Sequence, residues 1–420
     1  MKKRVLIGLI ILTTLAAAFA VVRSQLPITS VPLRTTPRFL NPPPKDHQPA
    51  QLTETDLSVL EETPLIIPEP LRIRKLEGKR LQAPKGFRIQ IFALGFKKPR
   101  MMAINQQGDL MITAAKEGRV YVLPDRDGDG VADEKIVFAA GMRFPHGIVV
   151  DGDSVLVAEE DKVQRLKDVD NDGRADQKEI LISNLPTGGN HITRTIAIDA
   201  QRNIYVSIGS SCNVCRDDPR RAAILRFNPD GSNETLFAAG LRNAVGIVFH
   251  PQTGKLWATD NGRDWLGDEL PPEEIDIVEF QQHYGWPFCY GDKVTDPDMG
   301  DEAFCQTTAS PAVTMQAHSA PLGLRFINSK SFPNQLQGDL LVAFHGSWNR
   351  SVPTGYKIVR VKMENGKPVW VEDFITGWLN PDGTVWGRPV DVIEGKDGAL
   401  YISDDNEGII YRVTYEPPVS

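Results

Sequence analysis

Two spacings that could do chemistry stand out along the 420-residue chain. The first is acidic. Asp125, Asp127, Asp129 and Asp133 alternate through one loop, and Asp168, Asp170, Asp172 and Asp176 repeat the pattern in a second. Alternate carboxylates with a glycine at the sixth place, here Gly130 and Gly173, wrap oxygen ligands around a calcium ion. The twelfth place of an EF-hand loop holds a bidentate glutamate, but here it is Ile136 and Glu179. The expectation is therefore two structural calcium loops, with acidic β-turns as the alternative. The second spacing is basic. Pro145-His146, Asn190-His191 with Arg194, Arg242-Asn243, His318, His345-Gly346-Ser347-Trp348-Asn349 and Gly387-Arg388 are short segments carrying imidazoles and guanidiniums. A neutral imidazole accepts a proton near pH 7, and guanidiniums grip carboxylates. Brought together, they would hold an anionic ligand beside a general base.

What brings them together is a repeat. From about residue 85 the chain cycles through an apolar strand, a turn, a second strand ending in small or polar residues, and a third strand. The first strands are read at 101–104, 147–150, 195–198, 246–249, 323–326 and 390–393. Six such units predict an all-β, six-bladed propeller, which leaves few exposed sheet edges. The sixth unit stops after its third strand near Thr414, and a spare strand, 87–92, precedes the first. That N-terminal strand is expected to complete the last blade and close the ring. In a four-stranded blade, the lead-in to the first strand and the exit from the second share one face. Four of the seven histidines and several arginines fall there. The acidic loops follow third strands and belong to the opposite face.

The segments Gly189-Asn190-His191, Gly209-Ser210-Ser211-Cys212-Asn213, Gly240-Leu241-Arg242-Asn243, Asp260-Asn261-Gly262-Arg263, Tyr284-Gly285-Trp286-Pro287, His345-Gly346-Ser347-Trp348-Asn349 and Gly387-Arg388-Pro389 carry a resemblance. Over about residues 80–415 the chain resembles the glucose/sorbosone dehydrogenase family, propellers that use pyrroloquinoline quinone (PQQ), on its sorbosone and pyranose side. The resemblance implies oxidation of a sugar or related alcohol, with hydride passing to the quinone and His191 as general base. It implies a calcium ion at the quinone, held partly by carbonyls of Gly262 and Arg263. Arg194 and Arg388 are implied as contacts to the cofactor, with Asn213, Arg242, His345, Trp348 and Asn349 around it. His146 and His318 are implied to face the substrate. The chain departs from the glucose-specific pattern. Val390 stands where a second arginine is expected, and His345 or Asn349 replaces a lysine in the fifth blade. Glucose itself is therefore not implied.

Ahead of the propeller, Lys2, Lys3 and Arg4 precede an apolar run from Val5 to Val22 with Ala18-Phe19-Ala20 as a cleavage site. Residues 1–23 read as a signal peptide or a membrane anchor, 24–80 as a Pro-rich linker or strap, and 81–420 as the propeller. The protein is expected outside the cytoplasm, periplasmic or at the cell surface. Four cysteines fit disulfides there, and sequence proximity favours Cys212–Cys215 and Cys289–Cys305. A net charge of −7 argues against a nucleic-acid partner. The expected partners are a small sugar and an external electron acceptor. A calcium-dependent propeller lactonase and a non-catalytic binding propeller stand as alternative readings.

Overall fold

The computed structural model describes residues 56–418. The expected export segment lies outside the described residues. Within them, no helix is long and apolar enough to cross a membrane.

Besides one two-stranded hairpin, the described residues form five four-stranded antiparallel sheets and one six-stranded sheet. Their innermost strands are Pro99–Ile104, Ile148–Asp151, Arg194–Ile198, Ile247–Phe249, Pro321–Phe326 and Pro389–Glu394. Each of these touches the next, and the last touches the first, so six blades close around a channel. The repeat foresaw all six. Closure is made by Phe87–Leu94, which pairs antiparallel with Ile409–Tyr415, for example Ile91 opposite Tyr411. The last blade thus takes strands from both ends of the propeller, which removes the open edge.

Within the segment expected as linker or strap, Leu60–Ile66 pairs parallel with Phe87–Leu94 and antiparallel with Arg80–Pro84. These two strands widen the last blade. Blade four carries the other elaboration: a hairpin, Cys289–Tyr290 with Val294–Thr295, and a short helix, Glu302–Cys305, sit between its third and fourth strands. The Cys289–Cys305 disulfide ties that hairpin to that helix.

Alternation in the strands sends every second side chain between neighbouring blades. Blades four and five meet on Trp257 and Phe326, whose rings pack edge to face at 5.3 Å. Blades six and one meet on Tyr401, Ile393, Met102 and Ile112, with Phe92 of the closing strand edge-on to Tyr401 at 4.9 Å. Each fully buried large side chain contributes about 1.5–3 kcal/mol. The central cavity measures about 660 Å³ and is lined by the innermost strands along much of their length, from Ile148, Thr195 and Gly246 to Ile104, Val150, Ile198 and Phe249. The lead-ins to these strands and the exits from the second strands share one face, so the histidine-bearing loops gather at one mouth of the channel.

Candidate active site

His191 precedes the innermost strand of blade three. Its Nδ1 lies 2.9 Å from the Ser210 carbonyl and 3.0 Å from Ser210 Oγ. Ser210 Oγ donates its own proton to the Cys212 carbonyl at 2.7 Å. Both neighbours of Nδ1 therefore accept, which assigns the proton to Nδ1 and leaves the Nε2 lone pair as the basic atom. Nε2 has no partner among the described residues. Burial, then the charges of Arg242, Arg194 and Arg221, push the imidazole pKa down to about 3. Gly209 makes the close packing feasible, since a Cβ there would sit 2.6 Å from His191 Cβ.

The loop before His191 is held from beneath. Arg194 is fully buried and its Nη1 donates to the carbonyls of His191 at 2.9 Å and Thr193 at 2.7 Å, while Nη2 donates to that of Pro186. Arg221 adds bonds to Thr187 and Gly188 carbonyls at 2.6 and 3.0 Å. Arg194, expected as a cofactor contact, here braces the loop, where a run of carbonyls converges and must be satisfied.

Arg242 stitches blades three and four. It donates to Asn213 O at 2.9 Å, Asn213 Oδ1 at 3.0 Å, Gly262 O at 2.7 Å and Asp264 Oδ2 at 3.2 Å. Asn213 Oδ1 also accepts from Asp264 N at 2.8 Å, and its Nδ2 donates to Asp264 O at 3.1 Å, which leaves one amide N–H. It acts as a latch between the two loops. The Cys212–Cys215 disulfide closes the same loop. Gly262 O already takes one donor, whereas the Arg263 carbonyl accepts nothing among the described residues. The Arg263 side chain points away and pairs with Asp296 and Asp298.

Across the mouth, Arg388 donates to the carbonyls of His345 at 3.1 Å and Gly346 at 2.9 Å, which leaves Nη1 without a partner among the described residues. His345 Nε2 meets Asp405 Oδ1 at 2.9 Å. Asp405 Oδ2 takes Arg100 at 2.7 Å and Lys98 at 3.1 Å. Burial alone would raise the Asp405 pKa, but the bond to His345 and the charges of His345, Arg100 and Lys98 hold it far below the usual range. Burial pushes His345 down to about 4 despite Asp405.

His146 and His318, expected to face substrate, are both enclosed by protein. His146 is wholly buried, with Nε2 3.2 Å from Arg100 and Nδ1 3.3 Å from Thr195 Oγ1. His318 is nearly buried and its Nε2 meets the Gly267 carbonyl at 2.8 Å. Each ring serves the loops that surround the mouth. Trp348 stands on the rim, two-thirds exposed, and Asn349 donates to Asp264 Oδ1 at 3.0 Å while its buried Oδ1 is left without a partner.

Sequence reasoning missed Lys98, Arg100, Ser210 and the role of Asp405. The first two sit at the start of blade one. The rule that found the other lead-ins applies to them, but the strand was read as beginning only at Met101.

The acidic loops fold as a matched pair after third strands, opposite the mouth. Asp125, Asp127 and Asp129 cluster in one, and Asp168, Asp170 and Asp176 in the other. Asp133 and Asp172 stay outside these clusters and accept backbone N–H groups of Arg126 and Arg174.

The mouth fits a polycarboxylate with a calcium ion. Arg388 Nη1 is a spare cationic donor, Asn349 Oδ1 is an orphaned buried acceptor, and the Arg263 carbonyl is a free oxygen ligand beside that of Gly262. A family model described as TrAA12-like matches residues 81–416. The chain belongs to the TrAA12-like family. The sequence resemblance to PQQ-dependent sugar dehydrogenase propellers is thereby borne out. An uncharacterized protein of Borreliella burgdorferi is 32% identical over 352 residues, covering 80% of this chain and 91% of that protein. A pyrroloquinoline quinone-dependent pyranose dehydrogenase of Coprinopsis cinerea is 24% identical, covering 80% of this chain and 54% of the fungal protein. The chain thus spans about half of that relative. In fold, it is similar to the holo form of the pyranose dehydrogenase PQQ domain from Coprinopsis cinerea, with a TM-score of 0.69, 22% identity and coverage of 83% and 99%. The calcium structure of a Trichoderma reesei family AA12 enzyme gives a TM-score of 0.70, 22% identity and coverage of 80% and 96%.

Proposed function

We propose that this protein is an exported PQQ-dependent dehydrogenase that oxidises a sugar or related alcohol, with His191 Nε2 as the general base. The observation that carries the reading is the His191 tautomer: Nδ1 is pinned to Ser210, and Nε2 is left as an open lone pair at a cationic mouth. Membership of the TrAA12-like family and the two disulfides, which suit an oxidising compartment, support it.

When bound, PQQ supplies a two-electron acceptor for hydride and calcium supplies a Lewis acid beside it. Arg388, with its spare Nη1, would hold a cofactor carboxylate, and the Gly262 and Arg263 carbonyls the calcium. His345 and Asn349 would line the opposite side, with Trp348 standing outside them on the rim. His191 Nε2 takes the substrate hydroxyl proton, and Ser210 keeps the ring oriented through that transfer. The imidazole is a weak base in the bare protein because burial and Arg242 both depress it. Negative charge brought to the mouth by the cofactor's carboxylates acts against the arginine charges and raises the imidazole pKa. Arg194 positions the base by holding its backbone. Electrons leave to an external acceptor.

The test is equilibrium titration of purified protein with PQQ and calcium, followed by dye reduction across a sugar panel. Saturable PQQ binding that needs calcium, with turnover on at least one sugar, is expected. PQQ binding no tighter than to a propeller lacking these arginines would overturn the proposal.

A further inference from the structure

Two tryptophans stand in water on the rim of the mouth. Trp265 is 67% exposed and Trp348 66%. Their rings meet edge to face, with centroids 5.1 Å apart and planes at 88°. Neither indole N–H has a partner among the described residues. Trp265 also has a φ of +73°, a left-handed conformation that bulky residues rarely adopt.

The pair is not loose. Trp265 follows Asp264, and Trp348 precedes Asn349, which donates to Asp264 Oδ1 at 3.0 Å. Asp264 is also anchored by Asn213 and Arg242. Below them, Arg350 pairs with Glu269 at 2.7 Å, and Ser351 N donates to Asp268 at 3.0 Å. The loops of blades four and five are therefore laced together, and the lacing holds two exposed indoles in a fixed corner. From Asn213 the contacts run on through Cys212 and Ser210 to His191.

We propose that Trp265 and Trp348 form a saccharide platform that stacks on a pyranose ring next to the one oxidised, so that the protein prefers oligosaccharides to monosaccharides. The inference rests on the sugar-dehydrogenase reading for its placement beside His191. The chemistry is that of a puckered ring. One face of a pyranose is a patch of C–H groups that lies on an indole, and its rim of hydroxyls needs donors and acceptors. Perpendicular indoles give one face and one wall, which suits a puckered ring better than a flat aromatic. The two free indole N–H groups and the orphaned Asn349 Oδ1 supply the polar partners. The corner is tied to the His191 loop through Asp264, Asn213 and Ser210, and its exposure leaves it open to a second sugar unit.

The test uses the full chain and two variants. Trp265→Gly removes the ring and relieves the left-handed backbone together, and Trp348→Ala removes its partner. Trp348→Phe is the conservative control. Without PQQ, acrylamide quenching of tryptophan fluorescence is measured with maltotriose, cellotriose and xylotriose. At least one should shield the wild-type protein, and the shielding should vanish in Trp265→Gly and Trp348→Ala. With PQQ and calcium, KM for that trisaccharide should rise about tenfold in either variant and less than twofold for its monosaccharide, with Trp348→Phe near wild type. Equal changes for both sugars, or no shielding by any trisaccharide, would overturn the platform. So would unchanged sugar KM values with a raised KM for cytochrome c, which would assign the corner to acceptor docking. Shielding without turnover on any sugar leaves the platform standing and removes the dehydrogenase reading. Turnover with an unchanged preference does the reverse.

Discussion

Replacing Arg194 with lysine separates two roles that the sequence alone could not. The side chain is fully buried and donates to three carbonyls of the loop that carries His191. Each charge-assisted bond is worth about 1.5–3 kcal/mol. A lysine keeps the charge and can remake one or two of them, so the net loss should be about 2–4 kcal/mol. With an unfolding entropy of about 2.1 cal/mol/K per residue, a domain of this size loses roughly 1.3 °C per kcal/mol. The expected drop in Tm is therefore roughly 3–5 °C, read by differential scanning calorimetry. PQQ affinity should stay within about twofold. The rate of PQQ reduction should fall by roughly 10–100-fold, because a small displacement of the base is costly. A tenfold loss of PQQ affinity at unchanged Tm would refute the bracing role and restore Arg194 as a cofactor contact.

Three further outcomes are expected. Arg388→Ala should weaken PQQ binding by about 1–3 kcal/mol in an equilibrium titration, since it carries the spare guanidinium donor of the mouth. Asp127→Ala and Asp170→Ala should each lower the Tm measured in millimolar calcium by roughly 3 °C and leave turnover per folded molecule intact; loss of turnover at unchanged Tm would put those loops in the active mouth. Burial pushes Asp391 up to about 7 against backbone bonds from Met102 and Val392. The folded chain then holds a proton that the unfolded chain releases above about pH 4, so this contribution is present below pH 4 and lost as pH rises to 7. Urea melts should show Asp391→Asn falling less steeply than wild type between pH 4 and 8, by about 2–4 kcal/mol in total; parallel profiles would show that Asp391 is ionised throughout.

The ring was legible because its signal is periodic. Six apolar strands of similar spacing can close only a few ways, and a spare strand before the first unit matches a missing one at the end. The place of His191 followed from the same topology. The direction of each side chain did not. Arg194 and His191 are three residues apart on one lead-in, yet one faces the mouth and the other turns under it. The difference lies in the carbonyls of residues 186–193, whose convergence depends on loop conformation. His146 reads like His191 in sequence, but Thr195 and Arg100, distant in the chain, bury it. Asp405 was visible as the end of a strand, while its partners His345, Arg100 and Lys98 come from two other blades. The Trp265 corner depends on a backbone conformation that no residue type announces.

In the proposed reaction His191 Nε2 removes the substrate proton. Stopped-flow reduction of bound PQQ by excess substrate tests it in wild type, His191→Gln and His345→Gln, after PQQ and calcium loading has been matched. A fall of roughly 10²–10⁴ is expected in the His191 variant, with cofactor binding retained, and a much smaller change in the His345 variant. Near wild-type reduction in His191→Gln, with collapse in His345→Gln, would contradict it and place the base on the fifth blade beside Asp405.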